Sequence, residues 1–285
     1  MLTNLYCEIH DFCKKFIKQW NKSLLGNFSC QMGICELMTI VIKFHSSNIR
    51  TFKHFYQIIE KYHRKEFPTL LSYNRFVEVM PIVILPLFVF LKQCKMGKNT
   101  GISFIDSTKL RICHNRRINS NKVFKELAKR GKDSTGWYYG FKLHLVINEH
   151  GEIINFVFSP ANVDDRKPVK ELLKNLKGKV YADKGYVSEE LANSLENVEL
   201  VARPRKNMKK ELSDFDKVML RKRSIIETVN DQLKNICQLE HSRHRSPANF
   251  IVNALSSLVA YSLKDKKPSI FFNQKDLTQN NPIAI

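Results

Sequence analysis

The hydrophobic pattern of this chain changes at one short, polar, glycine-containing segment, residues 95–101. Before this segment, apolar residues recur three or four positions apart, the spacing of one helical face: Phe52, Phe55, Tyr56 and Ile59. After it, short apolar runs of strand character alternate with helical stretches. We therefore expect a helical N-terminal domain over residues 1–98, an α/β domain over residues 99–263 and a polar tail over residues 264–285.

The order of strands and helices in the α/β domain constrains its sheet. Strands are expected at residues 102–112, 138–148, 152–159, 179–182 and 198–202, and helices at residues 165–176, 188–195 and 216–240. The second and third strands are separated by residues 149–151, which end in a glycine and indicate a hairpin. This order predicts a mixed sheet flanked by helices, with antiparallel strands first and parallel strands later.

The net charge limits the classes of partner. Forty-seven Lys and Arg against 27 Asp and Glu give a formal net charge of +20, which favours a large polyanionic partner such as nucleic acid. The most apolar stretch, residues 79–91, carries Pro81 and Pro86. It is shorter than the roughly 20 residues of a membrane span, so we expect a core helix and no membrane association.

Cysteines and glycines exclude other kinds of site. The seven cysteines are scattered along the chain, which fits reduced thiols in a cytoplasm. No glycine-rich loop of the kind that cradles a nucleotide phosphate is found in the sequence. We therefore expect no nucleotide cofactor.

Three acidic residues lie where a carboxylate is costly unless it is paired or binds a cation. Asp106 falls within the first predicted strand, Asp183 directly follows an apolar strand, and Glu227 lies in the last predicted helix. Two strand aspartates and one helix glutamate can converge at one edge of a sheet. An all-oxygen cluster of this kind suits a hard cation, Mg²⁺ or Mn²⁺.

The last predicted helix places further polar residues beside its carboxylate. Four of them are spaced four, three and four positions apart and therefore share one helical stripe: Arg223, Glu227, Asn230 and Lys234. A neighbouring apolar row would pack on the sheet: Ile226, Val229, Leu233 and Ile236. An exposed ladder of charges has the same spacing, so this helix taken alone leaves both interpretations open.

These segments together resemble one family. Three motifs are similar to the catalytic segments of insertion-sequence DDE transposases, in the branch with the signature Tyr-x2-Arg-x3-Glu-x6-Lys: Asp106-Ser107-Thr108, Asp183-Lys184-Gly185-Tyr186 and Arg223-x3-Glu227-x6-Lys234. Residues 136–144 and 161–165 also resemble that group, and the resemblance covers about residues 102–262. Leu220 stands at the position of the signature's tyrosine.

The resemblance implies a ribonuclease H-like fold and a DNA transposase with two metal ions. Asp106, Asp183 and Glu227 would be the catalytic residues and the metal ligands, with Mg²⁺ as cofactor and Mn²⁺ as a substitute. Arg223 and Lys234 would contact phosphates near the scissile bond. The implied partners are double-stranded DNA, at the terminal repeats of the element and at the target, and other copies of the chain assembled on that DNA. The expected location is the cytoplasm, at the nucleoid when DNA is bound.

Basic clusters extend the expected DNA-binding surface. They flank the predicted site, and solvated loops are the alternative interpretation. Their candidate DNA-binding residues are Arg116, Arg117, Lys129, Arg130, Arg203 and Arg205. For the helical domain, binding of DNA ends and a simple solvated face are equally compatible with the sequence.

Two other functions remain open on the sequence. A ribonuclease H-like nuclease would hydrolyse DNA without strand transfer, and the fold alone does not separate it from a transposase. An inactive DNA-binding relic of a transposase would keep the positive charge without the reaction. The Arg-x3-Glu-x6-Lys stripe favours a transposase, and the three intact carboxylates oppose a relic.

Overall fold

The computed structural model describes residues 2–16, 30–186, 188–204, 211–240 and 244–271. The chain forms two units, each built from separate stretches of sequence: Met1–Lys95 with Gln232–Lys264, and Met96–Asp231 with Asp265–Ile285. The chain passes from the first unit to the second after Lys95, close to the boundary predicted after residue 98. Residues 232–263, which the sequence places in the α/β domain, fall instead in the first unit, because their long apolar helix packs among the N-terminal helices.

The described part of the first unit is helical. Its elements are α1 (Leu2–Phe16), α2 (Ile34–His45), α3 (Phe52–Tyr62), α4 (Tyr73–Val79), a 3₁₀ turn (Met80–Val83), α5 (Ile84–Phe90), a π turn (Leu91–Lys95) and the helix Pro247–Ser262. Ser72 caps α4 by accepting a hydrogen bond from the Arg75 amide, which satisfies one backbone N–H group of the first turn. Phe55, Tyr56 and Ile59 of the predicted apolar stripe are buried on α3, and Phe52 is partly exposed.

The run Tyr73–Lys95 is 23 residues long and apolar enough to cross a membrane by length and composition. Core helices of soluble proteins pass the same test, and 44% of its most apolar window is buried within the protein. The helix Pro247–Ser262 packs against this run. We therefore interpret Tyr73–Lys95 as a proline-containing core segment.

His45 is a buried titratable group at the end of α2. Its side chain is 2% exposed, and Nδ1 donates a hydrogen bond of 2.6 Å to the Cys237 carbonyl. Burial lowers the pKa of His45 to about 4. Folding therefore keeps this ring neutral.

Acid is expected to destabilise the protein between about pH 6.5 and pH 4. An unfolded histidine titrates near pH 6.5, so the unfolded state takes up a proton that folded His45 refuses, and stability falls as the pH falls through this window. The slope is about 1.4 kcal/mol per pH unit for each such histidine. Denaturant unfolding across this range should give a shallower slope for His45→Gln than for wild type. The exposed His63→Gln should keep the wild-type slope, and equal slopes in all three proteins would contradict the assignment.

The second unit contains one mixed sheet among its described residues. Its strands are β1 (Ile102–Cys113), β2 (Lys129–Asp133), β3 (Gly136–Asn148), β4 (Ile153–Pro160), β5 (Gly178–Ala182) and β6 (Val198–Ala202). The order is β2-β3-β1-β5-β6, and β4 also pairs with β3. β3 is antiparallel to β1, β2 and β4, whereas β5 is parallel to β1 and β6. The predicted α/β class, mixed sheet and change of strand direction are confirmed.

The described α-helices of this unit follow β4 in the sequence. They are α6 (Val169–Leu173), α7 (Glu189–Asn193), α8 (Asp214–Lys222) and α9 (Ser224–Asp231). α6 packs on one face through Val169, Leu172 and Leu173, which join Ile105 and Val146 in a buried cluster.

α8 is attached to β5 by one buried carboxylate, Asp216. Its oxygens accept hydrogen bonds from Lys179 Nζ (2.9 Å), Tyr181 Oη (2.8 Å) and Ser213 Oγ (2.7 Å). These contacts hold the pKa of Asp216 below its usual value against the effect of burial. The helix start and the strand are therefore joined through a charged hydrogen-bond network.

Two sequence expectations about this unit are wrong. The single helix expected over residues 216–240 is broken: α8 ends at Lys222, α9 begins at Ser224, and a π turn occupies Gln232–Ile236. The basic segment before the hairpin contains an additional strand, β2, which pairs with the start of β3. The sequence does not indicate this strand, because three of its five residues are Lys or Arg and no apolar pattern marks it.

Candidate active site

Asp106 lies on β1 with its side chain on the face opposite the buried cluster under α6. Successive strand residues point to opposite faces. Ile105 belongs to the α6 cluster, while Phe104 stacks on Tyr181, which hydrogen-bonds α8. Asp106 therefore faces the helices α8 and α9.

Asp183 follows the last residue of β5 and is exposed. The parallel pairing of β1 with β5 ends at Phe104 and Tyr181, two residues before Asp106 and Asp183. Asp183 therefore directly follows the strand beside the one that carries Asp106, and its charge acts on the Asp106 carboxyl.

Glu227 lies on α9, which packs against β1. Its carboxylate is 59% exposed and pairs with Arg223, whose Nη2 donates a hydrogen bond of 2.9 Å to Glu227 Oε1. The partners are four residues apart, so one turn of helix holds them together. This short helical stripe agrees with the predicted spacing of Arg223, Glu227 and Asn230.

The electrostatics of Asp106 link the three carboxylates. Burial raises its pKa to about 6, and the charges of Glu227 and Asp183 act in the same direction. The Arg223 guanidinium and the Ser107 amide partly oppose this rise. The charged form of a buried carboxylate that faces two other acids is unfavourable, and a bound cation would stabilise it.

Two polar side chains complete the surroundings of Asp106. Asn230 Nδ2 lies 3.5 Å from Asp106 Oδ2, while the Asn230 Oδ1 atom is buried with no hydrogen-bond partner among the described residues. The Tyr186 hydroxyl is buried near Ser107 and Asp106 without a hydrogen bond of ordinary geometry, and burial raises its pKa. The helical spacing of Asn230 indicates its side of α9. Tyr186 ends the Asp183-Lys184-Gly185-Tyr186 motif, but the motif does not indicate that its hydroxyl turns toward Asp106.

The three carboxylates approach one another without forming a closed ligand shell. Within the described parts of the chain, no group of three or more His, Cys, Asp or Glu side chains is arranged to hold a metal ion. The donor set nevertheless fits a hard divalent cation, because all three side chains offer carboxylate oxygens and the buried one has a raised pKa. Their assignment as catalytic residues and metal ligands stays a prediction.

Lys234 and the three carboxylates belong to different units of the chain. The lysine belongs to the first unit, on the π turn Gln232–Ile236, and its Nζ lies 3.3 Å from Glu240 Oε2. The π turn ends the α-helical spacing on which the predicted four-residue stripe depends. The stripe is therefore observed only as far as Asn230.

The predicted DNA-binding residues of the second unit are exposed where they are described. Arg116 and Arg117 form a 3₁₀ turn after β1, Lys129 and Arg130 lie on β2, and Arg203 follows β6. Arg205 lies outside the described residues. Their contacts with DNA remain predictions.

An aromatic residue joins this basic surface at the β2–β3 hairpin. Trp137 is 52% exposed, with Arg130 Cζ 5.2 Å and Lys132 Nζ 5.8 Å from its ring. Lys132 and Trp137 are directly paired across the strands, so they share one face. An exposed indole between two cations can stack on a base while its neighbours contact phosphates.

The order of the mixed sheet, with Asp106 on β1 and Asp183 at the end of the neighbouring β5, is that of a ribonuclease H-like domain. The sequence profile of the transposase DDE domain matches residues 96–247, which is just over half of the chain. The chain therefore belongs to the transposase family with a DDE domain, and the predicted family and fold are confirmed. Enzymes of this family act on DNA and use divalent metal ions. A comparison with curated proteins gives no match.

Proposed function

We propose that this transposase binds the ends of its own insertion sequence, cleaves the DNA there and joins the freed strand to a target. The observation that carries the proposal is the placement of Asp106 on β1 beside the end of β5, with Asp183 and Glu227 both near enough to influence the pKa of Asp106. Phosphodiester hydrolysis and strand transfer can use the same site, since both need an activated oxygen and a stabilised leaving oxygen.

In this proposal Asp106, Asp183 and Glu227 hold two divalent ions, Mg²⁺ with Mn²⁺ as a substitute. When bound, such ions activate a water or a 3′-hydroxyl and stabilise the leaving oxygen. Asn230 orients Asp106 through its amide. Arg223 positions Glu227 and offers its remaining N–H groups to a phosphate, and Lys234 binds a phosphate further along the strand.

The remaining assignments belong to the same proposal. The helical unit binds the terminal repeats, the unit with the mixed sheet carries the reaction, and the C-terminal residues act as a polar tail. Several copies of the chain assemble on double-stranded DNA, in the cytoplasm and at the nucleoid. The net charge of +20 supports this partner.

The test uses purified full-length protein and labelled duplexes with either the element's own terminal sequence or a scrambled sequence. Nicking at the element boundary and joining to a second duplex, both dependent on Mg²⁺ or Mn²⁺, are the expected results. Nicking without joining would identify a nuclease. Specific binding without any reaction under either metal would identify an inactive relic.

The β2–β3 hairpin provides a prediction about DNA affinity. Arg130→Gln should weaken duplex binding about fivefold at 0.1 M salt and reduce the salt slope by about one, because one phosphate contact is lost. Trp137→Ala should weaken binding to a duplex that carries an unpaired base without changing the slope, since stacking on that base releases no counterion. Titrations at several salt concentrations measure both quantities. Lys170→Gln on α6 serves as the charge-matched control, and an equal loss in that variant would refute a specific role for the hairpin.

A further inference from the structure

A cavity of about 850 Å³ lies within the first unit, where α2, α3, α4 and the helix Pro247–Ser262 meet. Its volume is in the range of sites that bind small organic ligands. All its lining residues belong to this unit, so it is separate from the carboxylates of the second unit.

Three residues that line the cavity carry unpaired polar atoms. His244 Nε2, Asn249 Oδ1 and Ser256 Oγ have no hydrogen-bond partner among the described residues and almost no exposed surface, so they lie behind the cavity wall. Asn249 Nδ2 donates to the Val77 carbonyl at 3.2 Å, and its Oδ1 stays without a partner. Buried polar groups in native proteins are nearly always paired, so a polar ligand toward which these side chains turn would supply the missing partners.

The rim of the cavity is basic. Arg50, Lys53 and Arg245 line it with exposed side chains. The acidic lining residue, Glu78, is paired with Arg75 at 3.0 Å. The rim therefore keeps a positive charge, which suits phosphates on either side of a bound group.

The wall beside this rim is aromatic. Phe52 and Tyr73 line the cavity, with their ring centroids 6.3 Å apart, and Lys53 Nζ lies 5.9 Å from the centre of the Tyr73 ring. Both aromatic side chains are partly exposed. A planar ring entering the cavity would contact this wall, with its edge toward the side chains that carry the unpaired atoms.

We propose that this cavity binds one unpaired nucleobase of a DNA strand, with the neighbouring phosphates on Arg50, Lys53 and Arg245. A lone inorganic anion would use the cations but leave the aromatic wall and the interior polar atoms without a function. A purely apolar ligand would leave the three polar atoms unpaired, which is costly. The inference rests on the proposed function, since it needs a protein that binds DNA.

The experiment compares two short duplexes of one sequence, one blunt and one with a single unpaired 2-aminopurine at a 3′ end. Full-length wild type should bind the overhanging duplex about tenfold more tightly, a typical value for one base stacked on an aromatic side chain. The 2-aminopurine fluorescence should fall on binding. Arg50→Gln/Arg245→Gln should remove this preference, whereas Lys61→Gln/Arg64→Gln, with the same loss of charge in the same unit, should retain it.

A second variant tests the interior of the cavity. His244→Phe keeps a ring against Phe250, whose centroid lies 5.5 Å away, and removes the unpaired nitrogen. It should melt like wild type and lose most of the preference for the overhang. Equal binding of both duplexes by wild type, or equal effects of the two double variants, would overturn the cavity proposal and leave DNA binding intact. Binding of neither duplex would overturn the proposed function together with the cavity.

Discussion

Replacing Asp183 by asparagine is expected to lower the rate of DNA cleavage by about a thousandfold or more. A metal-bound oxygen contributes several kcal/mol to the stabilisation of developing charge, and each 1.4 kcal/mol corresponds to about tenfold in rate. Asp183 is exposed at the end of β5, so the substitution removes one charge without disturbing the core. Gel assays of nicked and joined products measure the rate, and anisotropy measures DNA binding, which should be retained.

Two further variants separate a metal ligand from a merely local charge. Asp183→Cys should be inactive with Mg²⁺ and partly active with Mn²⁺, because thiolate ligands disfavour the harder ion. Asp214→Asn removes an exposed carboxylate at the start of α8 that pairs with Lys217, and it should cleave at the wild-type rate. Full activity of Asp183→Asn would show that the active site has been assigned to the wrong carboxylates.

Loss of Asp216 should produce the largest change in stability, a decrease of about 3 kcal/mol in the free energy of unfolding. Asp216→Ala leaves the Lys179 ammonium and the Tyr181 hydroxyl without their shared acceptor. Chemical denaturation followed by circular dichroism measures the effect. Asp216→Leu combined with Lys179→Met should recover part of the loss, since an apolar pair of similar volume replaces a buried ion pair at little cost.

The Asp216 network also predicts that the free energy of unfolding falls in acid. Here the cause is a carboxylate that is stabilised in its charged form, whereas His45 is a histidine that is buried in its neutral form. The folded pKa of Asp216 is lowered, so its contribution is present above the unfolded value of about 3.9 and is lost as the pH falls below it. In Asp216→Ala, this part of the acid destabilisation should disappear. Lys217→Ala, on the exposed side of α8, should change the midpoint of denaturation little. A loss of stability equal to that of Asp216→Ala would contradict the role of burial.

The sequence predicts the sheet well, because the strands that form its centre are apolar or alternate. The predicted strands at 179–182 and 198–202 agree with β5 and β6 to within one residue. The aspartates could be placed because a carboxylate in or directly after an apolar strand is rare without a purpose. The basic strand β2 could not be predicted, because its charged residues do not show the apolar pattern of a strand.

The end of the helix that carries Glu227 could not be predicted from spacing alone. A stripe at four, three and four residues assumes α-helical geometry throughout, whereas the π turn at Gln232 adds one residue to the turn. The buried partners of Asp106 show a similar limit: Asn230 lies on the predicted stripe, but the approach of Tyr186 depends on the 3₁₀ turn after β5. Such contacts depend on tertiary structure, which no local pattern encodes.

The division of the chain has a consequence for the order in which the protein can fold during synthesis. Residues of Pro247–Ser262 supply buried side chains to a unit whose other helices are made first. The helical unit therefore lacks part of its core until the ribosome has translated the whole sheet of the second unit. A truncated product that ends within the sheet would leave this unit without its last helix and exposed to proteases.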